Sequence, residues 1–417
     1  MTSSTDSFDL APEAGVSQEP LDVRRIEVAD VWKGDRHAGT MKRTATVTVF
    51  EYTKEYLASP GPAVATTLKL SDTAVLTVAG AIPAFFAGLL PEGRRLTALR
   101  RTIKTSADDE LSLLLAVGAD PVGDVQVFPE GRAPYVPEPS LSWRSGSDVR
   151  FSELLEDAHI LNRRALAGVQ DKASAAMITL PGRWSGQDAI VKFSPPEYPH
   201  LVENEAWFLD LAASAGLPTP RHCTISDRAG DRALVIERFD RHGPSQSPTR
   251  DAVEDGAQVL GLYPADKYRV TAEQVTEALI AQCQAPVIAA RDAFRLFLFA
   301  WLTGNGDLHA KNISIVQRKG EWRIAPMYDV PSTLPYGDDS MALSIAGRDD
   351  DLSRKAFLAF AREIELPAPA AESVMESMLR ITEPVIPLFK EQREPFTQPR
   401  NTAALATLRY RRRLLTE

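Results

Sequence analysis

The sequence predicts an α+β protein in which a small N-terminal α+β domain precedes a strand-rich lobe and a helical lobe. Three features carry this prediction. Runs that alternate apolar and polar residues, such as Thr44-Ala45-Thr46-Val47-Thr48-Val49-Phe50, give residues 26–50 the period of half-buried strands, and residues 85–103 then read as largely helical despite Pro91. Residues 129–146 carry Gly131, Pro134, Pro137, Pro139 and Gly146, a composition that suits a linker or long surface loop and puts a domain boundary near residue 140. Beyond it, residues 173–180, 188–193 and 233–238 are strand-like with a helix inserted at 202–215, and after Asp251 the pattern is mostly helical. Residues 1–22, rich in Ser, Thr, Asp, Glu and Pro, read as a disordered tail; the domains then run over residues 23–140, 141–241 and 242–417.

Composition narrows the function. With 417 residues, 44% hydrophobic and 25% charged, the chain has the balance of a soluble globular protein able to bury a large core. A net charge of −9 argues against coating nucleic acid by bulk electrostatics. Basic clusters at residues 94–104 and 409–413 read as solvated helix faces. Cys223 and Cys283 are far apart, which excludes a disulfide framework and a cysteine metal site and fits a reducing cytoplasm. The acidic, polar N-terminus is unlike a secretory signal, and Arg291, Asp292 and Arg295 interrupt the most apolar stretch, so no membrane span is expected.

The most informative stretch is Gly306-Asp307-Leu308-His309-Ala310-Lys311-Asn312, followed by Met327-Tyr328-Asp329. An Asp, an Asn five positions on and a second Asp after a further strand is the spacing with which kinases hold metal-bound ATP beside a hydroxyl. In a polar turn such residues are commonly turn formers. Here the turn lies between an apolar helix and the β-branched run Ile313-Ser314-Ile315-Val316, a rigid mount, and a second strand at residues 322–327 delivers Asp329 back toward Asn312. Mg²⁺ takes oxygen ligands, usually one or two from protein and the rest from phosphate and water. Asn312 and Asp329 are candidates for that role, Asp307 for the base that accepts a hydroxyl proton, and His309, Lys311 and Tyr328 for nucleotide contacts.

A kinase also needs a cation on the phosphates. Lys192 stands near the end of the apolar run Ala189-Ile190-Val191-Lys192-Phe193, and the following helix offers Glu203 and Glu205 to orient it. Glu205 is favoured, because it shares a helix face with Leu209 and Ala212 whereas Glu203 sits in the first turn, where it complements the helix dipole. The segment Glu237-Arg238-Phe239 ends an apolar strand where a hinge to adenine belongs. Neither a G-x-G-x-x-G nor a Walker A sequence occurs; Ala167-Gly168-Val169-Gln170-Asp171-Lys172 is the candidate phosphate loop, with Gly168 permitting close backbone approach. A strand-rich lobe followed by a helical one, with a site between them, is the two-lobed plan of protein kinases.

In their order these blocks resemble the HipA family, serine/threonine kinase toxins of bacterial type II toxin-antitoxin modules. The N-terminal domain of that family is echoed by residues 86–93 and 114–120, and Asn204-Glu205, residues 237–241 and Glu254-Asp255 ahead of Leu260-Gly261 follow in sequence. The resemblance implies protein phosphorylation with ATP and Mg²⁺, Asp307 as base, Asn312 and Asp329 on the metal, Lys192 on the phosphates, residues 167–172 as a mobile phosphate loop and the 237–239 backbone as adenine hinge. It further implies a HipB-like antitoxin that contacts operator DNA, and a translation component such as an aminoacyl-tRNA synthetase as substrate.

One position departs from the family pattern. Many members carry a serine three residues before the loop glycine, whose phosphorylation ejects the loop; here it is Ala165. A methyl group cannot carry that charge, so autophosphorylation is expected at another residue, such as Ser174, or not at all. Two alternatives compete. A small-molecule phosphotransferase of the aminoglycoside or choline kinase type shares the Gly-Asp-x-His-x-x-Asn pattern but usually has His where this chain has Asn305. A non-catalytic binding protein has no physical need for Lys192, Asp307, Asn312 and Asp329 together.

Overall fold

The computed structural model describes residues 8–9, 22–59, 61–137, 141–143, 150–157, 177–244, 247–391, 395–396 and 401–417. The N-terminal unit is a five-stranded antiparallel sheet in the order Val75–Val78, Val47–Tyr52, Arg36–Arg43, Val28–Lys33, Val125–Pro129. Period-2 alternation sends Ala29, Val31, Met41, Phe50 and Val127 to one face, where Phe86 and Leu114 of the covering helices close a core. Residues 85–103 are not one helix. They form Ala84–Gly88 and Gly93–Ile103, separated where Pro91 lacks an N–H and disfavours helical geometry at the residue before it. That break turns Glu92 out toward the rest of the protein.

The second sheet has six strands in the order Phe8–Asp9, Leu141–Trp143, Ile178–Trp184, Gln187–Phe193, Arg232–Glu237, His222–Ser226. Two expectations are corrected here. Phe8–Asp9, within the supposed tail, pairs antiparallel with Leu141–Trp143, and that strand, taken from the supposed linker, runs parallel to Ile178–Trp184. Short turn-rich composition hid a strand whose ladder partners are distant in sequence. Ser185 and Gly186, both with positive φ (51° and 80°), close the central hairpin as the two-residue turn that matches strand twist. Of the strand expected at residues 173–180, residues 173–176 lie outside the described residues, as does the 167–172 loop with Ala165 and Ser174.

Helix Leu201–Ser214 joins this sheet to the helical lobe, burying Val202, Phe208, Leu209 and Ala212 with Leu234 and Ile236 of the sheet in the largest core. That core centres on helix Pro286–Thr303, which buries Phe294, Phe297, Phe299 and Trp301. A three-stranded sheet of Val253–Asp255, Ser314–Arg318 and Glu321–Ile324 lies beside it. The last strand stops at Ile324 rather than Met327, because Pro326 has no N–H to give a ladder. The basic run at 409–413 is not simply a solvated face. Arg411 is fully buried, its guanidinium 3.9 Å from the Trp301 ring centre, and it donates to the Trp301 carbonyl at 3.2 Å. No helix among the described residues is long and apolar enough to cross a membrane.

Candidate active site

Lys192 projects from strand Gln187–Phe193 toward helix Leu201–Ser214, and its Nζ donates to both carboxylate oxygens of Glu205, at 2.8 and 2.9 Å. The same ammonium forms an ion pair with Asp329. Glu205 is fully buried, whereas Asp329 keeps 37% of its side chain exposed. Burial by itself would lower the Lys192 ammonium pKa, but the Asp329 and Glu205 carboxylates outweigh it and hold it above the ordinary lysine value. Burial pushes Glu205 upward, with Lys192 offsetting only part. One cation is thereby fixed between an interior carboxylate and a part-exposed one. Asn204, next in the same helix, exchanges two hydrogen bonds of 2.9 Å with the Ser332 backbone, locking the helix to the chain just beyond Asp329.

The Asp307 loop is built by local chemistry. Helix Pro286–Thr303 ends at Gly304 in the left-handed region (φ 75°), the usual glycine C-cap, so the chain turns sharply inward. Asn305 then bonds twice: its Oδ1 accepts from the Asp307 N–H at 2.9 Å and its Nδ2 donates to the Asp329 carbonyl at 3.1 Å. The Asp307 carbonyl accepts from the His309 N–H at 2.9 Å and from Asn312 Nδ2 at 2.8 Å. Tyr268 donates to Asp307 Oδ1 at 3.0 Å. Asp307, Asn312 and Asp329 are therefore held as one unit by main-chain and amide bonds. Since Asn312 spends its N–H₂ on Asp307, its Oδ1 is the atom it has to offer, and with the half-exposed Asp329 carboxylate it makes a pair of hard oxygen donors that fits Mg²⁺.

Several sequence-derived candidates point elsewhere. Lys311 does not face the cleft: its Nζ donates to the Gly88 carbonyl at 2.8 Å and pairs with Glu92 at 3.1 Å, both on the N-terminal domain. Arg238 is buried in a network with Asp240, Asp120 and the Pro121 carbonyl, so its side chain ties the hinge to the N-terminal domain rather than reaching a nucleotide. The Glu237 and Arg238 N–H groups are spent on the Arg221 and Asp188 carbonyls, leaving the Phe239 N–H as the hinge donor without a partner among the described residues. The Tyr328 hydroxyl is bonded to Ser314 and the Lys311 carbonyl, and its ring stacks on Phe239 with centres 6.0 Å apart, a packing role between hinge and loop. His309 is 4% exposed and packs edge-on against Tyr268 at 5.0 Å; burial, with the nearby Lys267 charge, keeps its imidazole pKa well below the usual range.

Sequence reasoning missed Asn305, Asn204, Tyr268 and Glu92 as parts of this assembly. Asn305 left a signal, since an Asn two residues before a turn residue commonly bonds its backbone. Tyr268 and Glu92 left none, because their partners are 39 and 175 residues away.

Comparison with known proteins identifies the family. The HipA-like C-terminal domain matches residues 164–385 and the HipA N-terminal domain matches residues 29–128. The chain belongs to the HipA family. Among its relatives, the putative kinase Y4mE of Sinorhizobium fredii is 29% identical over 340 residues, 73% of this chain and 80% of the relative. The serine/threonine-protein kinase toxin HipA of Shewanella oneidensis is 29% identical over 358 residues, 78% of this chain and 80% of the toxin. The structure of Shewanella oneidensis HipA with HipB and operator DNA superposes with a TM-score of 0.74 at 24% identity, covering 93% of this chain and 97% of that one. The two-lobed α+β architecture with its N-terminal domain is thus the HipA fold.

Proposed function

We propose that the protein is an ATP- and Mg²⁺-dependent serine/threonine-protein kinase. The observation that carries this reading is the bridge Glu205–Lys192–Asp329, joined through Asn305 to Asp307, which brings groups from both lobes to one cleft. Mg²⁺-ATP, when bound, supplies the phosphoryl group and neutralises the charge on it. Asn312 Oδ1 and the Asp329 carboxylate would hold the metal, Lys192 would face the phosphates, and the Glu237 carbonyl with the Phe239 N–H would meet adenine. Asp307 aligns the acceptor hydroxyl and takes its proton at the carboxylate, typically a 10²- to 10⁴-fold contribution.

Family membership supports a toxin of a HipBA-like module. In this reading a HipB-like antitoxin holds the protein and makes most of the contact with operator DNA, as the net charge of −9 suits. The substrate is a translation component in the cytoplasm, such as an aminoacyl-tRNA synthetase, and its phosphorylation arrests growth. The test is transfer from labelled ATP into a bacterial lysate by the wild-type chain and by Asp307→Asn. Labelled protein bands with the wild type alone are expected. Equal labelling by both would reject Asp307 as the base, and label confined to small molecules would favour a metabolite phosphotransferase.

A further inference from the structure

The N-terminal domain touches the catalytic loop at one charged point. Glu92, the part-buried residue that follows Pro91 in the helix break, receives Lys267 Nζ in a hydrogen bond and Lys311 Nζ at 3.1 Å. Neither lysine is a remote surface group: only 11% and 13% of their side chains are exposed. Lys267 immediately precedes Tyr268, the donor to Asp307 Oδ1, and its carbonyl accepts from the Ala310 N–H of the catalytic loop at 3.2 Å. Its ammonium lies 5.3 Å from the Tyr268 ring centre. Lys311 immediately precedes Asn312 and also donates to the Gly88 carbonyl at 2.8 Å. One carboxylate thus gathers two ammoniums whose chain neighbours hold the two ends of the Asp307 loop.

We propose that Glu92 is a positioning residue for phosphotransfer, through which the N-terminal domain sets the geometry of Asp307 and Asn312. The inference rests on the kinase reading of that loop. Without the Glu92 charge Lys267 loses its carboxylate partner and the two lysines repel each other, while Lys311 keeps the Gly88 carbonyl and the Asp255 carboxylate at 3.8 Å. The loosening therefore starts on the Tyr268 side of the loop and reaches Asn312 through it. Burial tends to raise the Glu92 carboxyl pKa, but the charges of Lys311 and Lys267 outweigh it, so the group is ionised. The nucleotide-facing bridge of Lys192, Glu205 and Asp329 makes no contact with Glu92 and is untouched by this change. A displacement of about 1 Å at a reacting group can cost on the order of 100-fold in rate.

The experiment compares wild type, Glu92→Gln and Glu92→Asp in the full chain, with Asp307→Asn alongside. Expected for Glu92→Gln is a fall in kcat of about tenfold or more with KM for ATP within about twofold, partial rescue by Glu92→Asp, and an unchanged folded fraction by near-ultraviolet circular dichroism. Amide hydrogen exchange supplies a readout independent of activity: residues 267–268 and 307–312 should exchange faster in Glu92→Gln, while strand Gln187–Phe193 does not change. Unaltered exchange in the loop would overturn the clamp whether or not the chain transfers phosphate. A kcat loss that merely tracks the folded fraction, or a change in KM for ATP with kcat intact, would overturn it as well. Equal transfer by wild type and Asp307→Asn would instead remove the kinase reading, with the exchange result still deciding the clamp.

Discussion

Tyr268 donates a hydrogen bond to Asp307 Oδ1 at 3.0 Å, across 39 residues of sequence. Tyr268 is 39% exposed, so this bond joins a residue open to solvent to a buried carboxylate. Asp307 itself is 2% exposed. A buried carboxylate held by a fixed donor has a defined orientation, which is what the role proposed for Asp307 requires.

Replacing Tyr268 by Phe removes that donor and keeps the ring against His309. Hydrogen bonds to charged groups contribute about 1.5–3 kcal/mol, so a drop in kcat of roughly tenfold to 100-fold is expected, with KM for ATP unchanged. Steady-state transfer measured across ATP concentrations checks it. A rise in rate would show instead that the tyrosine blocks the acceptor site.

Lys192→Met tests the bridge as a structural as well as a catalytic unit. It leaves Glu205, fully buried, without its cation, and breaking a buried pair from one side costs about 3–5 kcal/mol. Adding Glu205→Gln removes the stranded acid, so the double variant should regain most of the stability while remaining inactive. Urea unfolding of the three proteins, read with transfer assays, separates the two effects; a double variant no more stable than Lys192→Met would contradict the argument.

His309 makes acid stability predictable in sign. Its folded pKa lies well below the ordinary imidazole value of 6.5, so as the pH falls the unfolded chain binds a proton at this site before the folded one does. Stability from this group is complete above about pH 6.5 and falls as the pH drops below that value, by about 1.4 kcal/mol per pH unit until the folded pKa is reached. His309→Gln should flatten that slope. Denaturant titrations between pH 5 and pH 7.5 measure it, and parallel slopes for the two proteins would assign the acid sensitivity to another group.

The resemblance to HipA proteins implies a serine whose phosphorylation silences the kinase at the position that Ala165 occupies here. Incubation with Mg²⁺-ATP is therefore expected to leave the mass at that position unchanged and the activity undiminished over time. Intact-mass and peptide mass spectrometry check this. A phosphosite elsewhere, whose substitution raised activity, would show that the switch had moved, with Ser174 the first position to inspect.

Much of the architecture was readable because it is local. Alternation over residues 26–50 and the long apolar helix ahead of Gly304 are periodic patterns that pack only one way round. The errors share a cause. The strands at Phe8–Asp9 and Leu141–Trp143 are too short for a period to show, and they exist through pairing with each other and with Ile178–Trp184. Arg411 looked solvated among its basic neighbours, yet the Trp301 ring lies under it. No helical period announces a cation–π partner 110 residues away.

By itself the sequence determined the order of chemical groups: a strand lysine, a helical glutamate, an aspartate five residues before an asparagine, and a second aspartate after a short hairpin. Those spacings are set by covalent distance along rigid elements, so they survive without knowledge of the fold. Only the tertiary structure decided which groups meet. It turned Lys311 and Arg238 toward the N-terminal domain, paired Lys192 with Asp329 as well as with the Glu205 already favoured from the helix face, and brought Tyr268 and Glu92 to the Asp307 loop. Long side chains swing through several ångströms at little cost, and what fixes them is the position of distant partners, which packing supplies and local spacing does not.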